Sequence, residues 1–203
     1  MQNILIVVDY QNDFADPNGK LYVPGAENIA ENIQNMIDNP FFDRIVYTMD
    51  THIAEEYEKS EEKLLFPEIH CEMGSNGWKL FKIQPRREEI SEYMFQRFQE
   101  GEEISVINEE AMFTKNKFDI WEGNNEYEYW FKRRIPKDAN IYICGVATNY
   151  CVYMNAIGYA QRGYKNVFIV ENAIKGIDDE TYSDRVEQMK SQFKFVSEVP
   201  NGF

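Results

Sequence analysis

Ile141-Tyr142-Ile143-Cys144-Gly145-Val146-Ala147-Thr148-Asn149-Tyr150-Cys151 decides how this chain folds. Ile141 to Cys144 is a short apolar run with β-branched residues, which predicts a buried strand. Gly145 ends the run and permits a tight turn. Thr148 and Asn149 are both good helix N-caps. Val152, Ala156 and Ala160 then recur at four-residue steps, as on one face of a helix, and Gly163 stops the pattern. Cys151 therefore falls in the first turn of a helix, just past a strand. There the helix dipole favours thiolate, and unpaired backbone N–H groups point outward. Acyl-transfer enzymes expose a nucleophile beside an oxyanion hole on such a strand-turn-helix elbow. Taken alone, the stretch suits a small buried cysteine equally well.

The same alternation extends in both directions. Asn3 to Val8 is an aliphatic run ending in Asp9, and Arg44 to Met49 is a second, ending in Asp50. Between them Ile29, Ile33, Met36 and Ile37 share a helical face that Pro40 closes. Residues 51–77 show no clear periodicity and carry both histidines. A long irregular stretch of this kind is typically functional or disordered. Pro85 to Glu103 reads as a charged helix broken at Gly101, and Ile104 to Asn108 as a third, short strand. Glu126 to Ile135 reads as a helix before Pro136. After the Asn149 to Arg162 helix come a strand at Asn166 to Val170, a helix at Glu180 to Met189 and a sixth strand at Phe193 to Val196. Strands alternating with helices predict an α/β three-layer sandwich. Its sheet is mainly parallel, of five or six strands in a Rossmann-like topology, within one domain over 1–203 and with a charged helical insertion around 84–103. Sites in such sheets form at the carboxyl ends of strands. Asp9, Asp50 and the Gly145 to Cys151 elbow all lie there.

Composition excludes some partners. The net charge of -14 argues against nucleic acid and anionic membrane surfaces, which require a basic face. No apolar run approaches the ~20 residues that span a bilayer. Met1 to Ile4 enters a strand at once, without a basic leader. Three cysteines make no disulfide framework, so the expected setting is reducing and cytoplasmic.

Three groups of residues carry chemistry. Asp9 at a strand tip could act as general base for a thiol; Asp13, four residues on, reads as a cap or turn residue. Asp50 and His52 fall on one side of an extended segment, because side chains alternate. With Glu62 and His70 they form a set suited to Zn²⁺, Fe²⁺ or Mn²⁺. Glu55, Glu56, Glu58 and Glu61 compete with Glu62 for the carboxylate role. Cys71 is set aside as a ligand, because its side chain should diverge from that of His70. Lys115 follows the third strand, and a lysine near a thiol holds the thiolate. No Gly-x-Gly-x-x-Gly follows the first strand, which removes support for dinucleotide binding.

In this order, the motifs resemble those of the isochorismatase-like cysteine hydrolases, and among them the nicotinamidases. The likeness rests on Asp9, Gln11, Asp13 and Phe14; Asp50 and His52; Pro67 to Cys71; Lys115 to Phe118; and Gly145 to Cys151. The resemblance implies a catalytic triad of Asp9, Lys115 and Cys151. It implies one divalent metal ion, with zinc the first choice and iron or manganese the alternatives. Asp50, His52, Glu62 and His70 would be its ligands, with Glu58 in reserve. It implies a cis Val146–Ala147 bond, an oxyanion hole formed by the Ala147 and Cys151 N–H groups, and substrate contacts from Phe14, Phe66 and Val146. The expected activity is metal-dependent hydrolysis of a small amide, nicotinamide to nicotinate and ammonia, through a thioester. The alternatives are another small-amide or carbamoyl hydrolase, and a non-catalytic binding module on the same fold. The charged stretch between Trp78 and Ile104 would cap the pocket or join copies into a homo-oligomer. Trp121, Tyr127, Tyr129 and Trp130 could line the pocket, but for most of them helix-face packing is the expectation.

Overall fold

A computed structural model describes residues 1–86, 96–98, 100–102 and 104–200. Among these, seven strands form one sheet: β1 (Asn3–Val8), β2 (Arg44–Asp50), β3 (Ile104–Ile107), β4 (Glu110–Lys115), β5 (Asn140–Val146), β6 (Asn166–Lys175) and β7 (Lys194–Val196). Their spatial order is β3-β4-β2-β1-β5-β6-β7. All neighbours are parallel except β3 and β4, which form an antiparallel hairpin at one edge. β1 is the central strand, and its apolar run has a simple cause, since both faces are covered. Leu5 and Val7 join a core containing Ile33, Ile37 and Phe42. Ile4, Ile6 and Val8 point the other way, into a core containing Phe131, Val152 and Tyr159. The α/β three-layer sandwich is borne out.

The sheet has one strand more than expected. β4 was hidden because Glu110, Thr114 and Lys115 interrupt its apolar pattern, although all six residues are buried. Glu110 tolerates burial by accepting a hydrogen bond from the Tyr47 hydroxyl at 2.8 Å. The turn before it uses Asn108 at φ 54°, a left-handed conformation that asparagine adopts readily. β6 continues to Lys175, past the expected end at Val170. Its pairing with β5 slips between Ile143 and Gly145. The helix after the elbow begins later than expected: Thr148–Val152 is a π turn, and the α-helix runs over Tyr153–Gln161. Neither Thr148 nor Asn149 caps it through its side chain. The helix expected over Pro85 to Glu103 lies largely outside the described residues. No helix among the described residues is long and apolar enough to cross a membrane.

Gly145 is required for more than a turn. Its φ is +110°, and a Cβ there would lie 2.0 Å from the Val8 carbonyl oxygen. The absent side chain lets β5 approach β1 where the elbow begins. Trp121, Tyr127 and Trp130 are buried in the second core, and Tyr129 is 60% exposed. Packing explains the first three, as expected.

Candidate active site

The carboxyl ends of β1, β2, β4 and β5 deliver four groups to one buried point. Asp9, directly after β1, has φ 46° and anchors its N–H on the Thr48 carbonyl at 3.1 Å. Thr48 Oγ1 donates to Asp9 Oδ1 at 2.6 Å. Lys115, the last residue of β4, places Nζ 2.8 Å from Asp9 Oδ2, 3.0 Å from Asp50 Oδ1 and 3.5 Å from Cys151 Sγ. Residues 9, 115 and 151 are thus brought together from distant parts of the chain. Asp9 and Lys115 are fully enclosed, and Cys151 is 6% exposed.

Burial and charge set the protonation states here. Burial pushes the Asp9 carboxyl up; Lys115 opposes this, Asp50 reinforces it, and the net shift is upward. Burial alone would lower Lys115, but Asp50 and Asp9 outweigh it and keep the ammonium charged. Burial pushes the Cys151 thiol well up, and Lys115 only partly opposes this. The net push is toward the protonated sulfur, against the pull of the helix terminus. The cause is desolvation, which outweighs the nearby cation.

Asp50, His52, Glu62 and His70 form an adjoining cage. All four are buried, and one donor atom from each lies within 4.8 Å of the others. His52 Nε2 is 3.0 Å and His70 Nε2 3.3 Å from Asp50 Oδ2, and His70 Nε2 is also 3.3 Å from Glu62 Oε1. Glu62 comes from the short helix Glu62–Leu65, whose Leu64 faces outward at 83% exposure. Glu62 Oε2 is buried without a partner. Burial would lower His70, but its bonds to Asp50 and Glu62 prevail and raise it to about 10. Burial lifts Asp50, yet Lys115 and His52 hold it well below the usual carboxylate range. Two buried carboxylates and two imidazoles, with a spare carboxylate oxygen, fit a borderline divalent cation. Glu58, the reserve carboxylate, instead pairs with Lys63 at the surface.

The irregular stretch 51–77 is held by specific bonds. His52 N–H donates to the Cys71 carbonyl at 3.1 Å, and Cys71 N–H donates to Asp13 Oδ2 at 2.7 Å. Asp13 thus fixes a distant loop, beyond the local cap or turn role expected of it. Two supports had no role assigned from the sequence, although Gln11 stands in the first motif. Gln11, fully buried, donates Nε2 to the Asp50 and Trp78 carbonyls, both at 2.8 Å, and accepts Asp50 N–H at 2.7 Å. Thr48 is the other. Their signal was available, since both are polar residues inside or beside apolar strands, where burial demands a partner.

Rings border the cage. Phe14 lies 5.4 Å from His70, and Phe66 lies 6.2 Å from it, between ring centroids. Phe66, Phe118 and Tyr150 contact one another at 5.4–6.0 Å. Val146 is buried at the end of β5, and the Val146–Ala147 peptide is cis, as the resemblance implied.

Comparison with known proteins places the fold in a family. The isochorismatase domain model matches residues 3–200. The nicotinamidase of Saccharomyces cerevisiae is 26% identical over 214 residues, covering 91% of this chain and 93% of that protein. The pyrazinamidase of Pyrococcus horikoshii, solved in complex with zinc, is 25% identical with a TM-score of 0.73, covering 97% of this chain and 99% of that one. The nicotinamidase of Bacillus subtilis has the same fold, with 22% identity, a TM-score of 0.73, and coverage of 97% and 100%. With β1, β2, β4 and β5 meeting at this site, the chain belongs to the isochorismatase family.

Proposed function

We propose that the protein hydrolyses a small amide, nicotinamide to nicotinate and ammonia, with Cys151 as nucleophile. The observation that carries this reading is the position of Lys115 Nζ, in simultaneous contact with Asp9, Asp50 and Cys151. The names of the yeast and Bacillus relatives support the substrate.

Asp9 takes the Cys151 proton as Sγ attacks the amide carbon, and the raised affinity of Asp9 for a proton suits that task. Lys115 stays charged and balances the anion that forms beside it. The Ala147 and Cys151 N–H groups donate to the developing oxyanion; such donors are each typically worth about 10²–10³ in rate. Asp9 returns the proton to the departing nitrogen, which leaves as ammonia, and a Cys151 thioester remains. A water then loses its proton to Asp9 and attacks the thioester, releasing the acid and restoring the thiol. A divalent cation held by Asp50, His52, Glu62 and His70, zinc by preference, would supply Lewis-acid polarisation and a fixed anchor for a ring nitrogen. The zinc in the Pyrococcus relative supports that preference. Phe14 and Phe66 provide apolar walls for a flat ring, with Val146 behind the elbow.

Ammonia release measured across nicotinamide, pyrazinamide, aliphatic amides and carbamoyl compounds, with and without a chelator, tests this reading. Nicotinamide should lead, and chelation should abolish turnover. Preference for a carbamoyl compound, or full activity in chelator, would refute it.

A further inference from the structure

The two residues preceding Cys151 hang on one carboxylate. Asp179 lies in the link between β6 and the helix Tyr182–Gln192. Its Oδ2 accepts the Tyr150 hydroxyl at 2.6 Å, and its Oδ1 accepts Asn149 Nδ2 at 3.1 Å. The same Oδ1 accepts the Thr181 N–H at 2.8 Å and hydroxyl at 2.7 Å, which hold the carboxylate in place. Asn149 is fully buried, and its side chain is fully engaged. It donates to the Ile177 carbonyl and to Thr181 Oγ1, and accepts Ile177 N–H at 3.0 Å. Its backbone carbonyl accepts Arg185 Nη1 at 2.6 Å, and that guanidinium lies 5.1 Å from the Tyr150 ring centroid.

These bonds act on a π turn, a wide and uncommon geometry that recurs at functional sites. Within it the Ala147 carbonyl accepts both Tyr150 N–H at 3.0 Å and Val152 N–H at 3.2 Å. The path of this turn determines where Sγ stands against Lys115. It also sets the Tyr150 ring, 5.6 Å from Phe66 and 5.4 Å from Phe118.

We propose that Asp179 is a positioning residue, which fixes Asn149 and Tyr150 so that the elbow presents Cys151 to Lys115 and Tyr150 closes the aromatic wall beside Phe66. This rests on the reading of Cys151 as nucleophile. A purely architectural Asp179 would lower thermal stability and leave the chemistry of each folded molecule unchanged.

The experiment compares Asp179→Ala, Asp179→Asn and Tyr150→Phe with the parent in zinc-loaded protein. It reads the iodoacetamide alkylation rate of the Cys151 peptide by mass, kcat and KM for ammonia release, and Tm. Misplacement of a reacting group by about 1 Å can cost about 10²-fold, so Asp179→Ala should lower kcat by about 10–100-fold and change the alkylation rate several-fold. Asp179→Asn, which still accepts the Tyr150 hydroxyl, should recover most of both. Tyr150→Phe removes a single hydroxyl and should move both in the same direction by less, which keeps the test valid if Asp179→Ala does not fold. Unchanged alkylation and kcat in the folded variants, with only Tm lowered, would overturn the proposal. Altered alkylation in a protein that hydrolyses no amide would support the positioning role and refute the amidase reading.

Discussion

A contact of 3.0 Å between Lys115 Nζ and Asp50 Oδ1 joins the group around Cys151 to the cluster of Asp50, His52, Glu62 and His70. Asp50 turns its other oxygen, Oδ2, to His52 and His70. One carboxylate therefore fixes the lysine beside Cys151 and two imidazoles of the cage. Asp50→Ala should abolish turnover and also release the metal. His52→Ala should deplete the metal and weaken substrate binding, while the parent alkylation rate of Cys151 is retained. Elemental analysis beside iodoacetamide kinetics checks both; full metal content in His52→Ala would refute the ligand assignment.

Lys115→Met should reduce kcat by about 10²-fold or more, since it removes the only cation contacting both Asp9 and Cys151 among the described residues. It should also destabilise the protein by about 3–5 kcal/mol, because two buried carboxylates lose their partner. Urea denaturation and steady-state ammonia release measure the two effects. A variant as active as the parent would remove Lys115 from the chemistry.

Thr48→Val keeps shape and removes the donor to Asp9 Oδ1. A buried acceptor left unsatisfied costs about 1–3 kcal/mol, so a loss of that size is expected in chemical denaturation, with a reduced kcat. An unchanged kcat would show that Lys115 alone suffices to hold Asp9.

Gly145→Ala brings a Cβ to 2.0 Å from the Val8 carbonyl at a φ of +110°. The closely packed strand pair beneath the elbow would have to separate. A stability loss of more than about 4 kcal/mol, or no soluble protein, is expected from strain of this kind. A thermal melt indistinguishable from the parent's would contradict the packing described for β1 and β5.

Much of this was legible in the sequence because buried parallel strands and their chemical termini are written locally. Asn3 to Asp9 and Ile141 to Cys151 each show a strand together with the candidate site residue at or beyond its tip. β4 was not legible, because its Glu110 and Lys115 are satisfied by Tyr47, Asp9 and Asp50, which lie far away in the chain. Asp9 and Asp50 could be singled out from sequence, whereas their supports, Thr48 and Gln11, depend on contacts across 39 residues. The balance at Cys151 was only half visible for a similar reason: a helix terminus shows in sequence, and the depth of burial that pushes the thiol up does not. Asp179 gives no local sign of its tie to Tyr150, 29 residues away.

In the proposed reaction Asp9, Lys115 and Cys151 act on one amide carbon as a unit. Ammonia release from nicotinamide by Cys151→Ala, with metal content and Tm measured on the same sample, tests it most directly. No turnover above background is expected, in a folded protein that retains its metal. Turnover at the parent rate in that variant would contradict it.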